Sequence, residues 1–513
     1  MAASRLARGF MTVGLWTMAS RILGFVRDIM IAATLGAGPV AEAFLIAFSL
    51  PNMFRRFFAE GAFNMAFIPM FSKKLERGEG AGDFARDAFS GLAAVLIVFT
   101  LLAQLAMPAL VLAMASGFAD DGRFAQSVLF GRIAFPYILF ISLAALLAGV
   151  LNTTGRFVAA AAAPVLLNIL MIAALVLAAR VGWPPGLTLA WTVPVAGVAQ
   201  MALVWVAASR AGFRLVPRRP RLTPELRRLA VIAAPAALAG GVVQVNLLVG
   251  RQVASFFDGA VAWLSFADRL YQLPLGVVGI AIGVVLLPEL SRRLGAGDGE
   301  GGRAALNRAA EMALALTVPA AVAFVLVPVP LISVLFERGA FGPADTGPTA
   351  VALAIYGLGL PAFVLQKVLQ PLFFAREDTR TPLRYALVAL AINALVAIGL
   401  APVLGFLAAA WGTTLAGWAM TLLLWRASQA MGDAARPDAR LRARAPRIVA
   451  ASAIMGVVLA VFMAFAGDWF AVPGLRIPAL VLLVVLGLVA YFGAGHVLGA
   501  FRLGELRGML RRG

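Results

Sequence analysis

The chain has 513 residues, of which 62% are hydrophobic and only 13% are charged, and its mean hydropathy is +0.94. Soluble domains contain about half apolar and about a quarter charged residues, so the composition excludes a soluble globular protein. The net charge of +19 does not indicate nucleic-acid binding, because the basic residues are dispersed among apolar stretches. Cysteine is absent and His496 is the single histidine, which excludes disulfides, thiol nucleophiles and Cys or His metal centres.

A helix needs about 20 mainly apolar residues to cross a membrane, and this rule predicts about 14 spans. The first span keeps its basic N-terminal flank, because Arg21 and Arg27 interrupt the apolar run and no signal-peptide cleavage site follows. The predicted spans lie near residues 10–36, 42–70, 88–114, 128–151, 159–180, 187–208, 226–250, 262–290, 309–335, 349–373, 383–402, 405–426, 447–467 and 477–500. We therefore expect an all-α integral membrane protein.

The basic residues give an independent test of this layout. If the N-terminus is cytoplasmic, 31 of the 43 Lys and Arg residues fall in cytoplasmic segments. Six fall in the outer loops and their edges: Arg123, Arg132, Arg180, Arg251, Arg338 and Arg476. The remaining six lie within spans. This inside bias follows the positive-inside rule, so we expect an even number of spans with both termini in the cytoplasm.

The two halves of the chain resemble each other. The segment that begins Pro69-Met-Phe-Ser-Lys-Lys after span two is repeated as Pro288-Glu-Leu-Ser-Arg-Arg after span eight, 219 residues later. Asn168 in span five then matches Asn393 in span eleven. Chance recurrence in Ala- and Leu-rich spans is the alternative. An even number of spans separates the copies, so the sequence predicts two parallel, pseudo-symmetric six-helix lobes.

The expected divisions of the chain follow that repeat. Residues 1–215 form the first lobe and residues 216–430 form the second. Residues 431–513 add two C-terminal helices and a cytoplasmic tail. Two lobes around a central cleft are more typical of a transporter than of an enzyme.

Charged residues lie inside the predicted spans, where each costs at least about 2.5 kcal/mol unless it faces water, a partner or the protein interior. The set comprises Arg21, Arg27, Arg55, Arg56, Arg269, Lys367, Asp28, Glu42, Glu60 and Asp268. Local pairing explains some of them, because Arg56 and Glu60 stand four residues apart and Asp28 follows Arg27. Arg21, Arg55 and Arg269 have no acid three or four residues away, so pairing within their own helix does not explain them.

We expect these three arginines to converge on a water-filled cleft and to bind a substrate that carries phosphate. A guanidinium donates two parallel hydrogen bonds to phosphate and stays charged at any working pH. Glu42 is expected to gate the cavity or to balance its charge. Its expected partner is Arg27, in the state closed to the outside.

Six segments form a recognisable pattern: Ser20-Arg-Ile-Leu-Gly-Phe-Val-Arg-Asp28, Leu50-Pro-Asn-Met-Phe-Arg-Arg-Phe-Phe-Ala-Glu-Gly-Ala-Phe63, Phe135-Pro-Tyr137, Ala267-Asp-Arg-Leu270, Leu335-Phe-Glu-Arg-Gly339 and Phe374-Ala-Arg-Glu-Asp-Thr-Arg-Thr-Pro382. They resemble the MurJ (MviN) family of lipid II flippases, within the superfamily of multidrug, oligosaccharidyl-lipid and polysaccharide exporters. The similarity extends over essentially the whole chain.

The resemblance implies alternating access between two lobes. It also implies movement of lipid II, the undecaprenyl-diphosphate-linked peptidoglycan precursor, from the cytoplasmic to the periplasmic leaflet. The essential cavity arginines of the family match Arg21, Arg27, Arg55 and Arg269. The essential acid after the first span is usually Asp in the family, whereas this chain has Glu42; Asp28 is a second candidate for gating or charge balance. Spans 13 and 14 would form a groove for the lipid tail.

Two departures from the family concern acids. The family often has Glu shortly after the arginine of span eight, where this chain has Gln272. Some relatives bind sodium through acids in spans seven and eleven, where this chain offers Gln244, Asn246 and Asn393. We therefore expect no carboxylate sodium site, no metal and no cofactor. The energy source is left open between the membrane potential and an ion gradient.

We expect a monomeric, multi-pass protein of the bacterial inner membrane that is not an enzyme and binds no nucleic acid. Its expected partners are lipid II and membrane lipids, with the cell-wall synthesis machinery as a further candidate. One alternative is an exporter of another lipid-linked oligosaccharide. A second alternative is a polytopic enzyme acting on polyprenyl phosphate. Such an enzyme needs an acidic or metal-binding cluster at one membrane face, and the sequence has no Asp- and His-rich loop of that kind.

Overall fold

The computed structural model describes residues 2–55, 58, 62–432, 435–472 and 474–501, without the side chains of residues 2–12, 62–65, 234–247 and several between 277 and 294. This part of the chain is helical, with short connections. The helices are α1 Ala2–Leu35, α2 Pro39–Arg55, α3 Ala62–Arg77, α4 Ala81–Leu105, α5 Met107–Ala115, α6 Gly122–Ala134, α7 Tyr137–Thr153, α8 Val158–Val181, α9 Pro185–Arg210, α10 Pro224–Ala254, α11 Ala260–Gly295, α12 Gly299–Leu326, α13 Pro328–Phe336, α14 Pro343–Phe374, α15 Arg380–Leu404, α16 Leu407–Gln429, α17 Ala439–Ala466 and α18 Arg476–Val497. Two short 3-10 turns, Ser116–Phe118 and Gly467–Phe470, complete the described secondary structure.

Ten helical segments in the described residues are long and apolar enough to cross a membrane, and they coincide with predicted spans 3–6 and 9–14. The other four predicted spans correspond to α1, the α2–α3 region, α10 and α11. Helices α1, α10 and α11 have 34, 31 and 36 residues, which exceeds the length of about 20 that a span requires. These four segments carry internal charges or include residues outside the description. The all-α membrane fold predicted from the sequence is confirmed.

Among the predicted spans that the structure describes without a gap, three differ from the prediction, because each consists of two helices. Span three divides at Ala106, before Pro108. Span four divides at Phe135 and Pro136, and span nine divides at Val327, before Pro328. Proline lacks the N–H that would continue the helical hydrogen bonds, so it favours a break at these points.

Polar side chains cap several helices at their N-termini. Asp121, Thr223, Asp298 and Asp438 each accept a hydrogen bond from a backbone N–H in the first turn of the helix that follows. These bonds satisfy donors that have no partner inside the helix. The caps therefore fix where α6, α10, α12 and α17 begin.

The first compact unit comprises Met1–Ala262 together with Arg338–Phe341. In it α1 packs against α8, α2 against α6, and α9 against both α7 and α8. Helix α10 packs in this unit against α3, α4 and α5, although the sequence-based division assigns it to the second lobe. The predicted lobes follow the repeat, whereas the compact units follow the packing, so the division at residue 215 stays a prediction.

The second compact unit comprises Trp263–Glu337 and Gly342–Gly513. Here α14 packs against α12 and α16, and α15 packs against α16. The last two helices join this unit through α17, which packs on α12 and on α18. The hydroxyl of Tyr491 on α18 donates a 2.6 Å hydrogen bond to the carbonyl of Ala315 on α12. The C-terminal helices are thus an integral part of the second unit.

The structure confirms the register of the repeat through residues with a left-handed backbone. Five such residues in the first half have counterparts in the second, in the pairs Gly36 and Gly259, Gly78 and Gly297, Gly155 and Glu377, Gly182 and Gly405, and Gly212 and Gly432. Glu377 is the one described non-glycine residue with positive φ, at 60°. Glycine adopts this conformation without the steric cost that other residues incur. Glu377 therefore keeps the turn of its repeat at the expense of local strain.

Candidate functional site

The first candidate site surrounds Arg27 on α1. Its Nε and Nη2 donate to Asp28 Oδ1 at 3.0 and 2.8 Å, and its Nη1 donates to Asn168 Oδ1 at 2.8 Å. The guanidinium also lies 5.7 Å from the ring centroid of Phe48. Arg27 and Asp28 are each only 6% exposed. The buried charge is thus compensated inside the protein.

Asn168 on α8 holds this arrangement in place. Its Nδ2 donates a 2.9 Å hydrogen bond to the carbonyl of Ser20, about two turns before Arg27 on the same helix. The amide oxygen therefore points at Arg27 while the amide nitrogen is bonded to α1 itself. The structure brings together Arg27 and Asp28, as their adjacency in the sequence suggests, and adds Asn168 as a third member.

The second candidate site surrounds Glu42, which is 1% exposed near the start of α2. Its Oε2 pairs with Arg123 Nη1 on α6 at 2.9 Å. Its Oε1 accepts a 3.0 Å hydrogen bond from the backbone N–H of Val261 in the first turn of α11. Helix N-termini favour negative charge, so both oxygens of this carboxylate face positive potential.

Arg123 connects Glu42 to two further acids. Its Nη2 lies 2.6 Å from Asp121 Oδ2 and 3.2 Å from Asp258 Oδ1. Its guanidinium carbon lies 4.3 Å from the ring centroid of Phe118. Hydrogen bonds from the Arg123 side chain hold the pKa of the Asp121 carboxyl below its ordinary value, because they stabilise the ionised carboxylate. Arg123 is thus the hub of a network that joins α2, α6 and the turn before α11.

The expected pairing of Glu42 with Arg27 is not found in this structure. Glu42 is bonded to Arg123 and Val261, and Arg27 is bonded to Asp28 and Asn168. The reason is proximity: Asp28 adjoins Arg27 in the chain, while α2 packs on α6 and places Glu42 beside Arg123. The sequence interpretation treated Arg123 as an outer-loop residue and missed this role. One signal was present, because aspartate is a residue type that favours the position before a helix start, and Asp121 stands two residues before Arg123.

The second repeat has a hydrogen bond at the position that corresponds to the Glu42–Arg123 ion pair, but it is made by different side chains. There the indole Nε1 of Trp263, near the start of α11, donates a 2.9 Å hydrogen bond to Asp345 Oδ1 in the first turn of α14. Asp345 stands 222 residues after Arg123, in register with the repeat. A buried ion pair in one repeat therefore corresponds to a neutral-donor hydrogen bond in the other.

The other predicted site residues lie in both units. Arg21 is partly buried on α1 and makes no hydrogen bond or ion pair with any residue that the structure describes. Arg55 is the last residue of α2, and Arg269 lies partly buried on α11 in the second unit. Beside Arg269, the amide of Gln272 donates to Asp268. The convergence of these arginines on one cavity stays a prediction.

Some predicted positions lie outside the description. Arg56 and Glu60, expected as a local pair, are not among the described residues. The side chains of Gln244 and Asn246 are likewise outside it. Asn393 is fully buried on α15, in register with Asn168.

Comparison with known proteins identifies relatives along almost the whole chain. The profile of the family described as "Lipid II flippase MurJ" matches residues 31–479. The chain is 46% identical to the probable lipid II flippase MurJ of Rhizobium meliloti (strain 1021), across 99% of this chain and 97% of that protein. It is 43% identical to the protein of the same name from Rhizobium tropici, with the same coverage. A solved structure described as lipid II flippase MurJ in an inward closed conformation matches with a TM-score of 0.79 at 23% identity, over 95% of this chain and 98% of that one.

Proposed function

Because this chain belongs to the MurJ family of lipid II flippases, we propose that Arg21, Arg27, Arg55 and Arg269 bind the diphosphate of lipid II during transport. The chain is a membrane flippase for this cell-wall precursor. Diphosphate is the one strongly anionic group that joins the lipid to the sugar, and arginine is suited to it by charge and by geometry.

The observation that carries the assignment is the contrast between two arginines on α1. Arg27 is buried, and three of its nitrogen atoms are bonded to Asp28 and Asn168. Arg21 is partly exposed and has no bonding partner among the described residues. A charge kept within a span without a protein partner requires water or an anionic ligand. Arg21 is therefore the first contact for the diphosphate, and Arg27 becomes available when substrate displaces Asp28.

The remaining features of the proposal concern orientation and energy. Both termini face the cytoplasm, because that orientation places most basic residues inside. The protein works as a monomer, carries out no chemical reaction and uses no cofactor of its own. Asp28 balances the charge of Arg27, and Glu42 balances the charge of Arg123. Either the membrane potential or an ion gradient drives the cycle, and selective ionophores distinguish the two sources.

Depletion of the protein from growing cells tests the proposed function. Lipid II is expected to accumulate in the cytoplasmic leaflet, where an externally added enzyme that cleaves lipid II does not reach it. Re-expression of the native chain should restore accessibility from outside. Unchanged accessibility after depletion, with no other flippase present, would exclude lipid II as the substrate.

A further inference from the structure

Two glycines in equivalent loops lie against the ends of two equivalent helices. Gly117 is in the 3-10 turn between α5 and α6, and Gly339 is in the tight turn between α13 and α14. A Cβ on Gly117 would lie 2.5 Å from the carbonyl of Ser255, just after α10. A Cβ on Gly339 would overlap the carbonyl oxygen of Ala33, near the end of α1. Real Cβ atoms do not approach this closely, so only glycine fits at either position.

Hydrogen bonds reinforce both contacts. Gly117 N donates to Ser255 Oγ at 3.0 Å, and Ser116 N donates to Gln252 Oε1 at 3.1 Å. At the other contact, Ala340 N donates to the carbonyl of Ala33 at 2.8 Å. The carbonyls of a last helical turn have no donor within the helix, so this bond satisfies a group that otherwise requires water. All these residues belong to the first compact unit.

The two contacts are related by the repeat, but each joins opposite copies. Gly117 and Gly339 are 222 residues apart, and so are Ala33 and Ser255. Gly117 of the first copy touches the first span of the second copy, and Gly339 of the second copy touches the first span of the first copy. Such a reciprocal exchange follows from a two-fold relation between the copies, and it engages both first spans, α1 and α10, in the same way.

We propose that Gly117 and Gly339 are positioning residues for transport, forming two latches that hold the ends of α1 and α10 in the state closed to the outside. The first latch comprises Ser116, Gly117, Gln252 and Ser255; the second comprises Ala33, Gly36, Gly339 and Ala340. The proposal rests on the function and topology proposed above, together with the alternating access that the family resemblance implies. In the two-lobe division predicted from the repeat, each latch joins opposite lobes, so both latches release when the outer side opens.

The latches act on the charged network through short connections. Phe118 follows Gly117 directly and stacks on the guanidinium of Arg123, which pairs with Glu42. Arg27 lies on α1, whose end is held by the second latch. Release of the latches therefore moves the Arg27–Asp28 pair and the Glu42–Arg123 pair, although neither glycine touches the substrate.

The chain has no cysteine, so single cysteines report local exposure to an impermeant thiol reagent added outside the cell. Ala37→Cys, 5% exposed beside Gly36, reports on the second latch, and Ala254→Cys, 1% exposed, reports on the first. Each reporter is combined in turn with Gly117→Ala and Gly339→Ala. Both reporters should be labelled several-fold faster in either variant, because the latches release together. Labelling at the parental rate would overturn the proposal, and acceleration at only the nearer reporter would overturn the coupling of the two latches.

Two matched controls separate the contact from general effects of the substitution. Gly122→Ala adds a Cβ at the first residue of α6, five residues after Gly117, where nothing lies within 4 Å. Gly182→Ala imposes a side chain on a residue with positive φ of 79°, as at Gly339, but in open space. Both controls should label at the parental rate. A purely structural role for the latch glycines would lower the amount of protein in the membrane without a change in labelling rate.

A second measurement keeps the native glycines. Ala33→Cys and Ala340→Cys are joined by a short bis-maleimide, which holds the second latch closed. The bridged protein should stop moving lipid II, while each single-cysteine protein treated with the same reagent remains active. Continued transport by the bridged protein would overturn the latch. If the untreated protein moved no lipid II, the proposed function would fail, yet the labelling rates would still decide on the latches.

Discussion

Glu42 and Arg123 are 81 residues apart in the sequence and form a buried ion pair of 2.9 Å. Removal of one member of a buried pair leaves an uncompensated charge and costs about 3–5 kcal/mol. Arg123→Ala is therefore expected to lower the thermal stability of the purified protein more than the double variant Arg123→Ala/Glu42→Gln. Unfolding followed by intrinsic fluorescence in detergent measures the difference. Equal losses of thermal stability in the two variants would show that water compensates the charge of Glu42 once Arg123 is removed.

The charge of Glu42, rather than its length, should determine transport. Glu42→Asp is expected to support growth of a flippase-depleted strain, and Glu42→Gln is expected to bind lipid II without completing the cycle. The neutral amide keeps the size of the side chain but attracts Arg123 and the N-terminus of α11 far less. Normal growth with Glu42→Gln would show that the negative charge of Glu42 is not required and that its side chain only contributes to packing.

Arg21, Arg55 and Arg269 are expected to be required for transport. Alanine at each position should abolish complementation of the depleted strain while the protein still reaches the membrane. Lysine should restore growth only in part, because it lacks the planar fork that binds phosphate through two hydrogen bonds. Lys367, which is exposed on α14, provides a comparison position for loss of a basic residue. A triple alanine variant with normal growth contradicts the assignment.

Asn168 and Asn393 occupy matched positions in the two repeats, and Asn168 accepts a 2.8 Å hydrogen bond from Arg27, a predicted substrate-binding arginine. Asn168→Leu should impair transport, because Arg27 loses an acceptor in a buried setting and the loss of a charged hydrogen bond costs about 1.5–3 kcal/mol. Asn168→Asp should bind Arg27 too firmly and slow the cycle. Lipid II turnover in proteoliposomes measures both effects. Full turnover with leucine would show that Asp28 alone suffices.

The predicted topology can be tested with single cysteines at exposed positions. Cysteine at Gly297 or Arg442 should be shielded from an impermeant reagent in intact cells, and cysteine at Gly122 or Ala344 should react. Permeabilised cells supply the control, because all four positions should then react. Labelling of a cysteine at Gly297 in intact cells would show that the second half has the opposite orientation to the predicted one.

The pattern of the spans could be predicted from the sequence because length and hydropathy act locally, and the register of the repeat could be predicted from a few proline and basic anchors. The breaks at Ala106 and Val327 were also encoded locally, in the prolines that follow them. The partner of Glu42 could not be predicted in this way. Which arginine reaches a carboxylate depends on the packing of α2 on α6, and that packing depends on many distributed apolar contacts rather than on spacing along the chain.

The bond from Ala340 to the carbonyl of Ala33 also constrains how the protein is made. The donor lies in the turn before α14, so the end of α1 enters the membrane long before its partner has left the ribosome. At a synthesis rate of about 5–20 residues per second, the interval is on the order of tens of seconds. Throughout that time the first helix must rely on water or lipid headgroups at its end. The first unit includes residues 338–341, so it is complete only after α11, α12 and α13 have been synthesised.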